Sequence, residues 1–195
     1  MRIHRAFWVV VLGALAIAGP ARADGEILKI LKPEDGKRLD SYEATRASAL
    51  NEARAGGDNA DLDILEEVLK GEPLSVRTGF DPRGDWRCRT IKVGGLLPLV
   101  VYGWFKCRIT DDGSGWRLEK LTGSQRLTGR FFDDGETRMI FIGAGHYDYE
   151  KPRAYGDDPD QDDVAYAFRP EKNRLRLELP LPKHESKLDI LDLRR

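Results

Sequence analysis

The sequence contains few of the residues from which catalytic and metal sites are usually built. Only three histidines and two cysteines occur among its 195 residues. It also lacks a phosphate-binding P-loop, a GxSxG nucleophile elbow, an HExxH zinc motif and a CxxC redox motif. No motif therefore names a reaction. We leave enzymatic activity open, favour a non-catalytic protein, and expect neither a cofactor nor a metal.

Long hydrophobic runs are also scarce, and the one that stands out is too short for a comfortable membrane span. The run from Phe7 to Ala18 follows a basic start and precedes Ala21-Arg22-Ala23, the small-x-small pattern that signal peptidase requires. We predict a cleaved signal peptide over residues 1–23, with cleavage after Ala23 and a periplasmic or secreted mature protein. No transmembrane segment is expected after cleavage.

The chain has no excess of positive charge, since its formal net charge is −1. Loss of Arg2, Arg5 and Arg22 with the signal peptide would make the mature chain more negative. Nucleic-acid binding depends on neutralising phosphates with Lys and Arg, so a nucleic-acid partner is not expected. The partner is instead predicted to be an unidentified protein or small-molecule ligand.

Both cysteines, Cys88 and Cys107, lie in the part predicted to be exported. An even number of cysteines in an oxidising compartment is most simply explained by one disulfide. If a hairpin turns near residues 95–98, the two cysteines lie roughly opposite each other on antiparallel strands, within disulfide reach. We expect this bond to clamp the scaffold rather than to provide a reactive thiol.

Residues 24–77 have helical periodicity. Apolar side chains recur every three to four positions, and Gly56-Gly57 ends the first helical segment as a C-cap would. Asp58 or Asn59 can cap a second segment. We predict a helical pair that packs against the domain that follows.

Residues 78–195 change to the period of two that is typical of β-strands, most clearly where leucine alternates with charged residues over 174–181. The predicted fold is mainly β with an N-terminal α-helical segment (α+β). About eight antiparallel strands would form a lipocalin- or calycin-like up-and-down barrel, or a strongly curled sheet, with one disulfide. The predicted strands are Trp86–Val93, Leu99–Ile109, Trp116–Leu121, Gln125–Phe132, Thr137–His146, Val164–Phe168, Arg174–Leu181 and Lys187–Leu193.

The last predicted strand breaks the alternation of apolar and polar residues. Leu188 and Ile190 share one face, whereas Leu191 and Leu193 share the other. Either a β-bulge shifts the phase, or both faces of this strand are covered. The N-terminal helices could provide the second cover.

The segment KLTGSQR places Ser124, Gln125 and Arg126 side by side. A hydroxyl, an amide and a guanidinium in this order could bind a carboxylate or a phosphate. The alternative is a tight turn at Gly123-Ser124, with Arg126 paired to a nearby acid.

His146 precedes Asp148 by two residues, so the two would share a face of a continuing strand. Such a pair could orient a general base or begin a metal site. A strand-end histidine that is hydrogen-bonded to a neighbour is the simpler interpretation.

The acidic run Asp157–Asp163 resembles the start of a calcium-binding loop. Positions six and twelve of such a loop require glycine and glutamate, but here they are Asp163 and Arg169. The run is therefore predicted to be a solvated acidic loop rather than an EF-hand, and weak calcium binding is left open.

Several consecutive motifs together resemble one protein family. They are WRCRTIKVGG, FKCRI, KLTGSQR, RMIFIG, AYGDDPDQDD and RLELPLPKHESKLDIL. Over about Trp86 to Leu193 the chain is similar to exported proteobacterial proteins known only as domain of unknown function number four-eight-nine-three. That family has no established activity, so the resemblance implies no catalytic role. It implies a shared pattern that includes Cys88, Cys107, Gly123, Ser124, Gln125, Arg126, Glu185 and Ser186.

The chain departs from this family in the acidic loop. Family members usually carry an arginine before the last aspartate, where this chain has Gln161 and Asp162. The loop is therefore wholly acidic, and ion pairing within it does not carry over from the family.

Three hypotheses about function follow. The favoured one is an envelope-associated, non-catalytic barrel that binds a protein or small ligand through Ser124, Gln125, Arg126, His146, Glu185 and Ser186. The second is a hydrolase or a binder of an anionic envelope component, which requires several polar residues to converge. Those residues are Ser124, Arg126, His146, Asp148, His184, Glu185 and Ser186. The third is a purely structural protein.

Overall fold

The computed structural model describes residue 25 and residues 27–195. The predicted signal peptide and its cleavage site lie outside the described residues. Within the described range, no helix is both long enough and apolar enough to cross a membrane.

Four helices lead into the sheet: α1 (Ile27–Ile30), α2 (Pro33–Asp40), α3 (Tyr42–Gly56) and α4 (Asn59–Leu69). Pro33 stands in the first turn of α2, where a missing N–H loses no helical hydrogen bond. Asp58 caps α4, because its carboxylate accepts a hydrogen bond from the backbone N–H of Ala60. The predicted helical pair corresponds to α3 and α4.

The remaining chain forms antiparallel strands that follow one another in chain order. They are β1 (Gly84–Gly95), β2 (Leu99–Val101), β3 (Phe105–Asp111), β4 (Trp116–Lys120), β5 (Gln125–Asp133), β6 (Arg138–Tyr147), β7 (Asp162–Glu171), β8 (Arg174–Pro180) and β9 (Ser186–Arg194). β1 also pairs with β9, which closes the sheet. Because β2 and β3 share one place beside β1, the described chain forms a closed barrel of eight strand positions. The prediction of a mainly β up-and-down barrel is confirmed.

The predicted strand Leu99–Ile109 is wrong in being continuous. β2 pairs Val101 with Ile91, whereas β3 pairs Phe105 with Cys88, so the returning strand contains one residue more than its partner. An extra residue produces a β-bulge, which interrupts the ladder between β2 and β3.

One end of the barrel is packed solid. The inward residues at this end are apolar and include Trp86, Leu118 and Phe141. Val76 packs into the same cluster from the segment before β1, and the ring of Phe80 contacts that of Trp116 edge-on at 5.4 Å between centroids. The segment between α4 and β1 therefore plugs this end.

The helices cover part of the outer surface of the barrel. Side chains of α3 and α4 pack on Ile91 of β1 and on Leu188 and Ile190 of β9, while Leu191 and Leu193 of β9 belong to the interior core. The pairing of β9 with both neighbours is continuous. The break in alternation thus reflects cover on both faces rather than a bulge, and the helices provide the second cover.

A network of ion pairs lies buried between the helices and the barrel wall. It is centred on Glu178 and Asp192, both fully buried. Glu178 accepts hydrogen bonds from Tyr42, Arg46 and Arg176, and Asp192 from Arg89, Arg174 and Arg194. A buried carboxylate is stable only when its charge is matched in this way.

The same network fastens the end of α4. Arg174 and Arg176 donate hydrogen bonds to the carbonyl oxygens of Glu67 and Val68, which lie in the last turn of that helix. Carbonyls in the last turn of a helix lack the N–H donor that the next turn would provide. A positive charge there is favourable because it faces the negative end of the helix dipole. The alternating arginines of β8 therefore face the helices rather than water.

The predicted disulfide joins Cys88 of β1 to Cys107 of β3 inside the barrel, with 5.9 Å between the two Cα atoms. The residue directly opposite Cys107 is Trp86, and the one opposite Cys88 is Phe105. The bond is therefore diagonal across the two strands.

Replacing both cysteines, as Cys88→Ala with Cys107→Ala, should lower the free energy of unfolding by about 3 kcal/mol on the chain-entropy model for a loop of this length. Urea unfolding followed by tryptophan fluorescence measures the change, and reduction of the wild-type protein is the matched control. Equal midpoints for the oxidised, reduced and double-variant proteins would contradict a clamping role.

Candidate ligand-binding site

The end of the barrel opposite the plug holds a cavity of about 570 Å³. Its floor is apolar, because Leu127, Leu179 and Leu191 line the cavity and also belong to the packed core. Cavities of about 300–1,000 Å³ are typical of small-molecule sites. The barrel is thus filled at one end and hollow at the other.

The cavity is polar above its floor because the inward-facing side chains of several strands change from apolar to polar or charged at the same distance from the plugged end. Side chains in a strand alternate between its two faces, so each row can be followed in steps of two. The row on β1 runs from Cys88 through Thr90 to Lys92, and the rows on β4, β5, β7 and β9 end in Lys120, Gln125, Asp163 and Asp189.

Lys92 is the paired cation of this cavity. It stands directly opposite Asp189 across the β1–β9 junction, and its Nζ lies 3.3 Å from Asp189 Oδ2 and 3.4 Å from Glu185 Oε2. Burial alone would lower the pKa of Lys92, but the two carboxylates raise it above the ordinary value. Lys92 is therefore held charged and in place.

Lys120 is a buried cation of this cavity without a carboxylate partner. Its side chain is 9 % exposed, and its Nζ lies 4.2 Å from the centroid of the Phe105 ring. Among the residues that the structure describes, no carboxylate oxygen lies within 4.0 Å of this Nζ. Burial lowers the pKa of Lys120 to about 8, with Asp189 opposing the shift and the charge of Lys92 adding to it.

The carboxyl groups of the cavity are also desolvated. Burial raises the pKa of Asp163 to about 6, although Arg38 lies 3.6 Å away and opposes the shift. Burial likewise raises the pKa of Asp189, against the pull of Lys92 and a hydrogen bond from Ser186. Because the lysines and the carboxylates of the cavity are both poorly solvated, electrostatic interactions among them are stronger than they would be in water.

The KLTGSQR residues lie at the rim of this cavity. Gln125 and Arg126 line it, whereas Ser124 lines an adjoining recess of about 100 Å³ that also contains Lys120 and Gln125. Gly123 adopts a φ of 93°, so the tight turn predicted at Gly123-Ser124 is present. Arg126 does not pair with an acid in the described chain; its Nε donates to the Gly123 carbonyl at 3.3 Å.

His146 borders the cavity opposite Arg126 in the β5–β6 ladder. The expectation of a histidine hydrogen-bonded to a neighbour is wrong, because its buried Nδ1 has no partner among the described residues. Asp148 instead lies past the strand end, where its backbone N–H donates to the Ser124 carbonyl. Burial lowers the pKa of His146, and the charge of Arg126 lowers it further.

The PKHES loop lies at the same end of the barrel as KLTGSQR. His184 and Glu185 line the cavity, and Glu185 reaches Lys92. Ser186 does not line the cavity, but its hydroxyl donates to Asp189. In the described chain no serine hydroxyl is hydrogen-bonded to a histidine ring. The two loops therefore converge without forming a nucleophile and base pair.

Exposed apolar side chains are concentrated at the mouth of the cavity. The described chain has nine large apolar side chains that are exposed, and five of them belong to the loops or strand ends at this mouth. These five are Leu96, Leu97, Tyr147, Tyr149 and Leu181, with the rings of Tyr147 and Tyr149 stacked 5.5 Å apart. The approach to the cavity is thus partly apolar.

The acidic run 157–163 is only partly solvated. Asp158 pairs with Arg153, and the buried Asp162 pairs with Lys32 at 2.8 Å. Within the residues described, no group of three or more histidine, cysteine, aspartate or glutamate side chains is placed to hold a metal ion. The prediction of a solvated acidic loop is therefore wrong at Asp162, which anchors the loop to the chain before α2.

Sequence reasoning missed Lys92, Lys120, Asp163 and Asp189. Lys120, Asp163 and Asp189 each continue an apolar inward row by one step of two, whereas Lys92 follows Thr90. Leu118 to Lys120 and Leu191 to Asp189 are the clearest examples. Alternation alone does not show that several such rows change from apolar to charged at one end of the barrel.

Comparison with known proteins identifies the family of this chain. The model of the family described as Domain of unknown function (DUF4893) matches residues 28–193. The chain belongs to this family. No curated protein and no solved structure matches it. The DUF4893 match covers both the helices and the barrel, so the cavity and its cover belong to one family unit.

Lys120→Met should raise the free energy of unfolding at pH 7 by on the order of 2 kcal/mol. The folded-state pKa of about 8 lies below the ordinary 10.5, so the charged lysine destabilises the fold below pH 8. This penalty fades as the pH rises towards the ordinary pKa, and the stability gain of the variant should shrink with it. Urea unfolding at pH 7 and at pH 9.5 measures both effects.

Lys106→Met is the matched control, because this substitution removes the same charge from a lysine that is exposed on the neighbouring strand. Its unfolding midpoint should stay near that of the wild-type protein at both pH values. A Lys120→Met variant that is less stable than wild type at pH 7 would show that Lys120 has a structural partner.

Proposed function

We propose that this protein is a non-catalytic binding module of the cell envelope, and that its barrel cavity holds a small amphipathic organic anion. The observation that carries the proposal is the buried, unpaired ammonium group of Lys120. It faces a cavity that is large enough for a small molecule. A group in this position has the chemistry of a counter-ion for a ligand.

The preference for an anion follows from the distribution of charge in the cavity. The nearby carboxylates of Glu185 and Asp189 are already engaged by Lys92. The ammonium group of Lys120 is therefore largely desolvated without gaining a carboxylate partner, which is an unfavourable state for an ion. A carboxylate, sulfate or phosphate within hydrogen-bond distance would relieve that state and raise the pKa of Lys120. Binding energy then comes from a charge that the empty fold leaves unsatisfied.

The preference for an amphipathic ligand follows from the floor and the mouth. Leu127, Leu179 and Leu191 offer an apolar surface beneath Lys120. Exposed apolar side chains at the mouth, such as Leu96 and Leu97, give a ligand with an apolar tail a favourable path. An anionic head with a short hydrocarbon tail would complement both parts of the cavity.

The placement in the envelope rests on the sequence and on the disulfide. The predicted signal peptide directs export, and the Cys88–Cys107 bond is of the kind that persists in oxidising compartments. A non-catalytic role is favoured because catalysis of acyl transfer would need a serine that is hydrogen-bonded to a base. A purely structural role is disfavoured because a structural residue should stabilise the fold, whereas Lys120 is expected to destabilise it.

Decanoate and 1-decanol are suitable probes, because they share one chain length and differ in head-group charge. The wild-type protein should bind decanoate more tightly than decanol in isothermal titration calorimetry at pH 7. Lys120→Met should lose roughly tenfold or more of its decanoate affinity, the equivalent of one charge-assisted hydrogen bond, and should bind decanol as wild type does. Decanoate affinity of the wild-type protein should fall as the pH rises through about 8.

Lys106→Met again provides the control and should bind both probes as wild type does. Equal affinity of wild type and Lys120→Met for decanoate would overturn the proposal, as would equal affinity of the wild-type protein for decanoate and decanol.

A further inference from the structure

The amino group of Lys120 has the surroundings of a nucleophile as well as those of a counter-ion. A lysine is nucleophilic only when its nitrogen lone pair is free of a proton and of hydrogen-bond partners. In the described part of the chain, the Nζ of Lys120 makes no hydrogen bond to protein, and it lies 4.2 Å from the centroid of the Phe105 ring. The nitrogen therefore faces the cavity rather than the protein.

Two of the lysines that line the cavity, Lys92 and Lys120, differ in a way that favours this use of Lys120. Lys92 holds Asp189 and Glu185, so it stays protonated and directs its charge at the cavity. Burial lowers the pKa of Lys120 to about 8; the carboxylate of Asp189 opposes this shift, and the fixed positive charge of Lys92 adds to it. A substantial fraction of Lys120 is then unprotonated in mildly alkaline solution.

We propose that Lys120 forms a reversible imine with an aldehyde or ketone group of a molecule bound in the barrel cavity. This inference rests on the proposed function, because the same cavity must admit and hold the molecule. It goes further in naming a covalent bond and a carbonyl-bearing class of ligand.

The chemistry needs no oxidant or reductant. The Nζ lone pair attacks the carbonyl carbon, a C–N bond forms, and the π electrons of the carbonyl move to its oxygen. A proton moves from nitrogen to that oxygen to give a carbinolamine. The hydroxyl then gains a second proton from a carboxyl group and leaves as water while the C=N bond forms. The resulting iminium returns its N–H proton to that carboxylate, and the products are one imine and one water.

The cavity provides carboxyl groups that could relay these protons. Glu185 and Asp189 both line it, and burial raises the pKa of Asp189 above its ordinary value. A carboxyl group with a raised pKa can donate a proton to the departing hydroxyl and accept one from nitrogen. The apolar floor and the barrel wall limit access of bulk water, which would hydrolyse the imine.

The test is reductive trapping with decanal and sodium cyanoborohydride on the folded, oxidised protein. The hydride converts an imine into a stable secondary amine, and peptide mapping by mass spectrometry locates the decyl group. Lys120 should be labelled roughly tenfold faster than the exposed Lys106 at equal reagent concentration, as its neutral amine fraction is larger. Its rate of labelling should rise with pH through about 8.

Two variants make the result specific. Lys106→Met should be labelled at Lys120 at the wild-type rate, and Lys120→Met should lose the fast phase of labelling. Added decanoate should slow labelling of Lys120 without affecting exposed lysines, because it occupies the same cavity.

Two outcomes would overturn the inference, and they differ in what they mean for the proposed function. Labelling of Lys120 no faster than that of Lys106, in a protein that still binds decanoate through Lys120, removes the imine and leaves anion binding intact. Slow labelling together with a lack of decanoate binding removes both.

Discussion

Pairing of β1 with β9 is the constraint on which the rest of this structure depends. It turns an open meander into a barrel and sets Lys92 directly opposite Asp189 on the inner face. That register decides which lysine of the cavity has a partner. Lys92 takes the carboxylate across the junction, and Lys120, which lies two strand positions from Lys92 on β4, is left without one. The chemistry of the cavity thus follows from how the barrel closes.

On the outer face of β1, β8 and β9, buried charged residues are stabilised by ion pairs and covered by the helices. Glu178 and Asp192 lie under the helices; Glu178 is matched by Arg46 of α3 and Arg176 of its own strand, and Asp192 is matched by Arg89 and Arg174 of the two neighbouring strands. Removing either carboxylate would leave buried arginines uncompensated, which typically costs 3–5 kcal/mol. The helices also cover the apolar side chains that β1 and β9 turn outward. Closure, helix cover and ion pairing therefore support one another at one place in the wall.

The sequence predicted much of this fold, since local patterns carry the information. Alternation located the strands, the glycine pair Gly56-Gly57 and the cap at Asp58 bounded the helices, and the cysteine count gave the disulfide. The bulge between β2 and β3 escaped prediction because it is a difference of one residue between two strands, visible only in their register. The sequence also could not decide between a β-bulge in β9 and cover on both of its faces. Alternation shows that both faces are apolar but not what packs against them.

The site was harder to predict because it depends on which strand ends meet. Gln125, Arg126, His146 and Glu185 were chosen as individual polar residues in distinctive loops, and they do gather around one cavity. Lys120 lies in an ordinary strand between Glu119 and Leu121, and nothing in those neighbours marks it. Its position becomes meaningful only when Leu118 is known to face the core and Lys92 is known to hold Asp189. Long-range pairing, rather than local pattern, creates its surroundings.

The protonation of Lys120 in the folded protein tests the proposed chemistry of the cavity most directly. Protein with lysine labelled at the side-chain Cε and Nζ allows each amine to be titrated by NMR, and the Lys120→Met spectrum assigns the resonance. We expect a pKa of about 8 for Lys120, which rises when decanoate is added. Titration of Lys120 near the ordinary lysine value of about 10.4, unchanged by decanoate, would contradict it.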